Sequence, residues 1–181
     1  MRFVETALPG AFVIEPDPHC DERGLFARTF CAREFAERGL RSAFVQCSTS
    51  YNARRGTVRG MHWQVGEHAE AKLVRCTAGA IFDVIVDLRP GSATRGRFAA
   101  VELGAEVRRA LYVPEGFAHG FQTLCDGAEV FYQISACYEP TAARGFRFDD
   151  PGLRLPWPLP PSCVGPRDLA LPRLDLEAVR V

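Results

Sequence analysis

Ala80-Ile81-Phe82-Asp83-Val84-Ile85-Val86-Asp87-Leu88, closed by Arg89-Pro90-Gly91-Ser92, is the stretch that decides the fold. It is rich in β-branched and apolar residues, it alternates in part, and a Pro-Gly turn ends it, so it reads as a strand. Further short strands are expected over Arg97 to Leu103, Arg109 to Val113 and Glu129 to Ala136. Phe12 to Glu15, Gly24 to Phe30 and Ala43 to Ser50 give more near the N-terminus. Only Ala32 to Arg38 reads as a clear helix, with Gly39 as its stop. The tail from Pro151 is Pro-rich, with Trp157 between two prolines. It is expected to wrap the barrel in irregular structure, with a short helix near Arg167 to Ala170. Internal repeats and interdomain linkers are not evident. Many short strands separated by turns predict one all-β domain over residues 1–181. The architecture expected is an antiparallel β-sandwich or jelly roll with a few short helices.

The bulk numbers fit that reading and exclude several functions. The chain has 181 residues and 47% hydrophobic content, enough for one real core. Its 22 basic and 22 acidic residues balance to a formal charge of +0, unlike the basic footprint of a nucleic-acid binder. Apolar runs fall short of membrane-spanning length, and the start, Met1-Arg2-Phe3-Val4-Glu5, does not read as a signal peptide. The cysteines are Cys20, Cys31, Cys47, Cys76, Cys125, Cys137 and Cys163, an odd set without a Cys-x-x-Cys. That pattern suits a reduced, cytoplasmic protein better than a disulfide scaffold or zinc module.

Among the basic residues only Lys72 is a lysine. Where every other cation is an arginine, the exception suggests a site that needs a compact ammonium, which a planar guanidinium cannot replace. Lys72 lies ten residues after His62, which sits in Gly56-Thr57-Val58-Arg59-Gly60-Met61-His62-Trp63-Gln64. A second histidine, His119, sits in Val113-Pro114-Glu115-Gly116-Phe117-Ala118-His119-Gly120-Phe121. That Pro-x-Gly-x-x-His stretch resembles the second cupin motif, and the first stretch resembles a degenerate first one. Gln64 replaces the second histidine there, and Glu67 and Glu70 fall off the expected spacing. Three-His-plus-Glu metal ligation cannot be assembled from these motifs, so no metal is expected. A histidine without metal can act as general base, given a carboxylate to fix its tautomer and a cation to hold the resulting enolate. Lys72 would supply that cation, and Tyr132 in Val130-Phe131-Tyr132-Gln133 could deliver a proton from the opposite face. Taken one at a time, a strand tyrosine reads as packing and a lone histidine as a structural residue.

Together these stretches resemble the dTDP-4-dehydrorhamnose 3,5-epimerase family over nearly the whole chain. Beyond those already quoted, the matching pieces are Asp21-Glu22-Arg23-Gly24-Leu25-Phe26, Phe44-Val45-Gln46, Lys72-Leu73-Val74-Arg75-Cys76, Tyr138-Glu139-Pro140, Asp149-Asp150-Pro151 and Leu155-Pro156-Trp157-Pro158. The resemblance implies a metal-free cupin, without cofactor, that inverts carbons flanking the ketone of a nucleotide-linked 4-keto-6-deoxyhexose. It implies His62 as the base, Asp168 in Gly165-Pro166-Arg167-Asp168-Leu169 as its carboxylate, Lys72 as the enolate's partner and Tyr132 as the acid. Arg59 would anchor the pyrophosphate, since a guanidinium fork suits phosphate oxygens. Arg23 and Gln46 would lie on the nucleotide side, and Tyr138 would stack on the base. Phe26 and Phe121 would line the sugar pocket, though each reads equally as core, and His119 would hydrogen-bond the sugar. The family also implies a homodimer whose N-terminal strands cross over, so that Arg23 serves the neighbour's site.

Three departures fall on the expected base-binding side. Gln46-Cys47-Ser48 stands where the family commonly has Gln-Asp-Asn, Arg28 replaces an acid, and the acid after Tyr-x-Pro is replaced near Ala143. Losing one buried hydrogen-bond partner costs about 1–3 kcal/mol, enough to change a preference. A CDP- or other NDP-sugar therefore stays open beside dTDP, as does inversion at C3, at C5 or at both. A nucleotide-sugar 3,4-ketoisomerase and a non-catalytic sugar-nucleotide binder are the alternatives. Gln64 argues against the first, and the set His62, Lys72, Tyr132 and Asp168 argues against the second.

Overall fold

The computed structural model describes residues 1–181. In chain order its strands begin with β1 (Arg2–Glu5), β2 (Phe12–Glu15), β3 (His19–Asp21) and β4 (Gly24–Phe26). Helix α1 (Ala32–Ala36) follows, then β5 (Gln46–Asn52), β6 (Thr57–Gln64), β7 (Lys72–Ala78), β8 (Ala80–Asp87) and β9 (Phe98–Gly104). The rest are β10 (Ala110–Val113), β11 (Phe117–Thr123), β12 (Ala128–Ile134), β13 (Ala143–Gly145), β14 (Cys163–Val164) and α2 (Pro166–Leu169).

Two large sheets carry the fold. One has the order β1-β2-β10-β7-β12-β5 and the other β13-β6-β11-β8-β9. Neighbouring strands in both are antiparallel, while β14 adds to β6 in parallel. The non-consecutive orders mean that the chain crosses repeatedly between sheets, as a jelly roll does. The expected all-β sandwich is therefore the observed one.

The stretch Ala80 to Asp87 forms β8, and its near-continuous apolar character has a physical cause. Ile81 and Ile85 point between the sheets, into a core with Val74, Leu111, Phe121 and Val130. Val84 and Val86 point the other way, against Met61, Trp63, Phe146 and the tail residues Leu155 and Val179. Both faces of the strand are buried, so both are apolar. The Pro-rich tail thus roofs the second sheet. A third cluster places Phe35 of α1 against Phe3, Phe30, Phe44 and Tyr112. These rings meet edge to face, for instance Phe30 and Phe35 at 5.0 Å, and such pairs add about 0.5–1.5 kcal/mol each beyond burial.

Several boundaries differ from expectation. The strand expected over Gly24 to Phe30 stops at Phe26, because Phe30 turns into the aromatic cluster around α1. The strand expected from Ala43 begins at Gln46. Helix α1 ends at Ala36, with turns continuing to Gly39, whose φ of 69° suits a glycine stop. Patterning alone does not mark β6, β7 and β11, although these three carry most of the site.

β6 and β11 approach each other closely at Gly60 and Gly120. A Cβ on Gly60 would lie 2.6 Å from the Gly120 Cα, and one on Gly120 would lie 2.8 Å from the Arg59 carbonyl oxygen. Gly60 also has φ of 128°. The register between the strands shifts between His119 and Phe121, a bulge that leaves His62 directly opposite His119.

Candidate active site

Strand alternation aims one set of side chains between the sheets. From the second sheet come His62 and Gln64 on β6 and His119 and Phe121 on β11. From the first come Lys72 on β7 and Tyr132 on β12. They line a cavity of about 600 Å³, together with Gln46, Arg59, Tyr138 and Asp168.

Asp168 reaches the site through the tail. β14 runs alongside β6 with Val164 opposite Val58, and α2 then carries Asp168 to the level of Gly60 and His62. His62 Nε2 lies 2.7 Å from Asp168 Oδ1, and the Gly60 amide donates to Oδ2 at 3.1 Å. Burial pushes the Asp168 carboxyl up, but the His62 hydrogen bond and charge and the Gly60 amide outweigh it, and its pKa ends below the ordinary value. With Nε2 donating to the carboxylate, the imidazole lone pair sits on Nδ1, the arrangement of a general base held in one tautomer.

His119 Nε2 contacts both oxygens of Asp83 at 3.0 Å. This pair is sealed, with side chains 5% and 0% exposed, against 38% and 10% for His62 and Asp168. Burial raises the Asp83 pKa, opposed by the charge and hydrogen bond of His119 and by Lys72. The rings of His119 and Tyr132 meet edge to face at 6.0 Å. Burial also pushes the Tyr132 phenol upward, helped by the Asp83 carboxylate and opposed by Arg59. A phenol so placed keeps its proton at neutral pH and has it available to donate.

Lys72 Nζ is 2.8 Å from Glu70 Oε1. Arg59 Nε donates to Asn52 Oδ1 at 2.7 Å. Buried Asn52 is itself fixed by its Nδ2, which donates to the Ser50 and Ala128 carbonyls at 3.0 and 3.2 Å. Gln46 Oε1 accepts the Tyr138 amide at 2.7 Å, which ties the exposed Tyr138 to the cavity mouth. Phe121 is both core and cavity floor.

Two expected site residues are not in this cavity. Arg23 and Phe26 lie on the β3–β4 hairpin, where Arg23 is paired with Asp21 and Phe26 is 76% exposed. Within one chain nothing brings them to the pocket. Of the departures, Ser48 and Ala143 line the cavity, whereas Arg28 is exposed and outside it. The structure places at or beside the site residues to which the motifs gave no such role: Glu70, Asp83, Asn52, Arg144 and Arg167. Asp83 carried a visible signal, one of two acids, with Asp87, in a largely apolar strand. Glu70 carried a weaker one, lying two residues from Lys72 and so on its side of an extended chain.

A jelly-roll barrel of two antiparallel sheets is a cupin-type architecture. The chain matches the family model for dTDP-4-dehydrorhamnose 3,5-epimerase over residues 5–175. It is 46% identical over 158 residues to the dTDP-4-dehydrorhamnose 3,5-epimerase of Methanothermobacter thermautotrophicus, covering 87% of this chain and 84% of the relative. The crystal structure of that enzyme from Elizabethkingia anophelis superposes with a TM-score of 0.92 at 38% identity, covering 96% of each chain. The Legionella pneumophila dTDP-6-deoxy-D-glucose-3,5-epimerase, solved in complex with dTDP-4-keto-L-rhamnose, superposes with a TM-score of 0.90 at 35% identity. That match covers 98% of this chain and 94% of the Legionella chain. The chain belongs to the dTDP-4-dehydrorhamnose 3,5-epimerase family and is an enzyme, an epimerase.

Proposed function

We propose that the protein inverts C3 and C5 of dTDP-4-dehydro-6-deoxy-D-glucose, giving dTDP-4-dehydro-L-rhamnose. The observation that carries this reading is the set of groups facing one cavity from opposite sheets: His62 with Asp168 on one side, Tyr132 on the other, and Lys72 beside them. Both carbons flank the C4 ketone, so either C–H can be removed as an enolate-forming proton. His62 takes that proton on its free nitrogen, and Asp168 stabilises the imidazolium. The electrons move onto the C4 oxygen, where the Lys72 ammonium balances them. Tyr132 then returns a proton to carbon from the opposite face, which inverts the centre. Solvent reprotonates the phenolate and removes the proton from His62. Arg59, pinned by Asn52, holds the diphosphate, and Tyr138 packs on the base.

Two further parts belong to the same reading. On the exposed β3–β4 hairpin Arg23 pairs with Asp21 of the same hairpin, and the apolar Phe26 is left 76% exposed. In a homodimer these two residues complete the partner's cavity. The seven cysteines are all unpaired, which suits a reducing compartment, and we place the enzyme in the cytoplasm. No helix is long and apolar enough to cross a membrane.

A second reading keeps the chemistry and changes the nucleotide, because Ser48 lines the cavity where the expected amide is lost. The test is solvent deuterium uptake, followed by NMR with dTDP- and CDP-4-keto-6-deoxyglucose in heavy water. Uptake at C3 and C5 with the dTDP sugar is the expected result. Preference for the CDP sugar moves the substrate, and uptake with neither contradicts the proposal.

A further inference from the structure

Of the ion pairs around the cavity, Lys72–Glu70 contains a carboxylate that no step above uses. The two side chains are only 11% and 10% exposed. Glu70 lies just before β7 and is held from both ends. Its Oε1 faces the ammonium at 2.8 Å, and its Oε2 accepts from Gln64 Nε2 at 3.0 Å. Gln64 is fixed in turn. Its Nε2 shares its two N–H groups among Glu70 and the His68 and Cys137 carbonyls, the latter at 3.0 and 3.2 Å, and its Oε1 accepts the Glu139 amide at 2.7 Å. Glu70 therefore cannot turn from Lys72 without breaking a contact to a buried, fully engaged amide.

An ammonium withdrawn from water needs a counter-charge, and a flexible four-carbon stem needs something to fix its end. We propose that Glu70 is a positioning residue for Lys72. It keeps the ammonium aimed into the cavity, where the developing enolate oxygen of the 4-keto sugar will lie. The inference rests on the epimerase reading for its catalytic part and on geometry alone for its positional part. Gln64 serves as the bracket that holds the carboxylate in place.

Glu70→Gln removes the charge while keeping the size and an acceptor for Gln64. Because Lys72 is the only lysine, protein labelled with ε-15N-lysine has a single side-chain ammonium resonance. The wild-type signal should be protected from solvent exchange, and Glu70→Gln should shift or broaden it. In the same variant kcat should fall about 10–100-fold, by analogy with the loss of a hydrogen-bond partner of a metal ligand, while KM and dTDP affinity stay unchanged. Glu70→Asp, which keeps the charge, should recover part of kcat. Wild-type kcat in Glu70→Gln, a loss confined to KM or Tm, or an unchanged ammonium signal overturns the proposal. If the wild-type protein shows no deuterium uptake, the epimerase reading fails, and the ammonium resonance alone decides whether Glu70 holds Lys72.

Discussion

His62 with Asp168 and His119 with Asp83 are the same pair of groups in two settings. The histidines are direct neighbours across β6 and β11. Both histidines line the cavity, but the His62 side chain is 38% exposed, whereas His119 and Asp83 are 5% and 0% exposed. The two carboxylates respond in opposite directions. Asp168 is lowered, its hydrogen bonds and the His62 charge winning over burial. For Asp83 burial wins and the pKa is raised. Residue type therefore does not assign the role; access to substrate and the balance of desolvation do. In the proposed mechanism the more open pair exchanges a proton with the bound sugar. The sealed pair holds the His119 ring in place against Tyr132.

The largest expected effect that tests this contrast is on stability. Asp83→Ala leaves a buried histidine without its partner and should cost about 3–5 kcal/mol. Asp168→Ala leaves a histidine that water can reach, and should cost about 1–3 kcal/mol through the lost hydrogen bonds. Urea unfolding of both variants measures the difference. Equal losses would mean that the two pairs are energetically alike.

A smaller effect is the pH dependence, which should have opposite signs at the two carboxylates. Asp168 is depressed below 3.8, so its stabilisation is present above that pH and is lost as pH falls through the lower folded value. Asp83 is raised above 3.8, so its contribution is complete below that pH and is lost as pH rises through the higher folded value. Each slope is bounded by about 1.4 kcal/mol per pH unit for one proton. Chemical unfolding from pH 3 upward, compared with Asp168→Asn and Asp83→Asn, should therefore show slope changes of opposite sign. Changes of the same sign would break the contrast.

The sequence revealed these two regions unequally. Strands such as β8 and β12 declare themselves by apolar and β-branched residues, because their side chains fill the space between the sheets. β6, β7 and β11 hide behind glycine, histidine, lysine and arginine, the residues that make the pocket. Motif resemblance found them where periodicity could not. Nine of the expected site residues line one cavity, and Arg23 and Phe26 do not. In the sequence Glu70 is weighed only as a metal ligand and Asn52 not at all, because their importance lies in what they hold, Lys72 and Arg59, which only the folded contacts disclose. Asp168 was placed by a weak local motif, and its position follows from the parallel pairing of β14, a two-residue strand with no pattern of its own.

The most direct test of the claim that His62 and Tyr132 divide the proton transfer is to separate exchange from inversion. Deuterium uptake and product configuration at C3 and C5 would be followed together by NMR in His62→Ala and Tyr132→Phe. His62→Ala should show neither uptake nor inversion, with rates down about 10²–10⁴-fold. Tyr132→Phe should still take up deuterium while returning substrate of unchanged configuration. Undiminished uptake in His62→Ala, or normal inversion in Tyr132→Phe, would contradict the account.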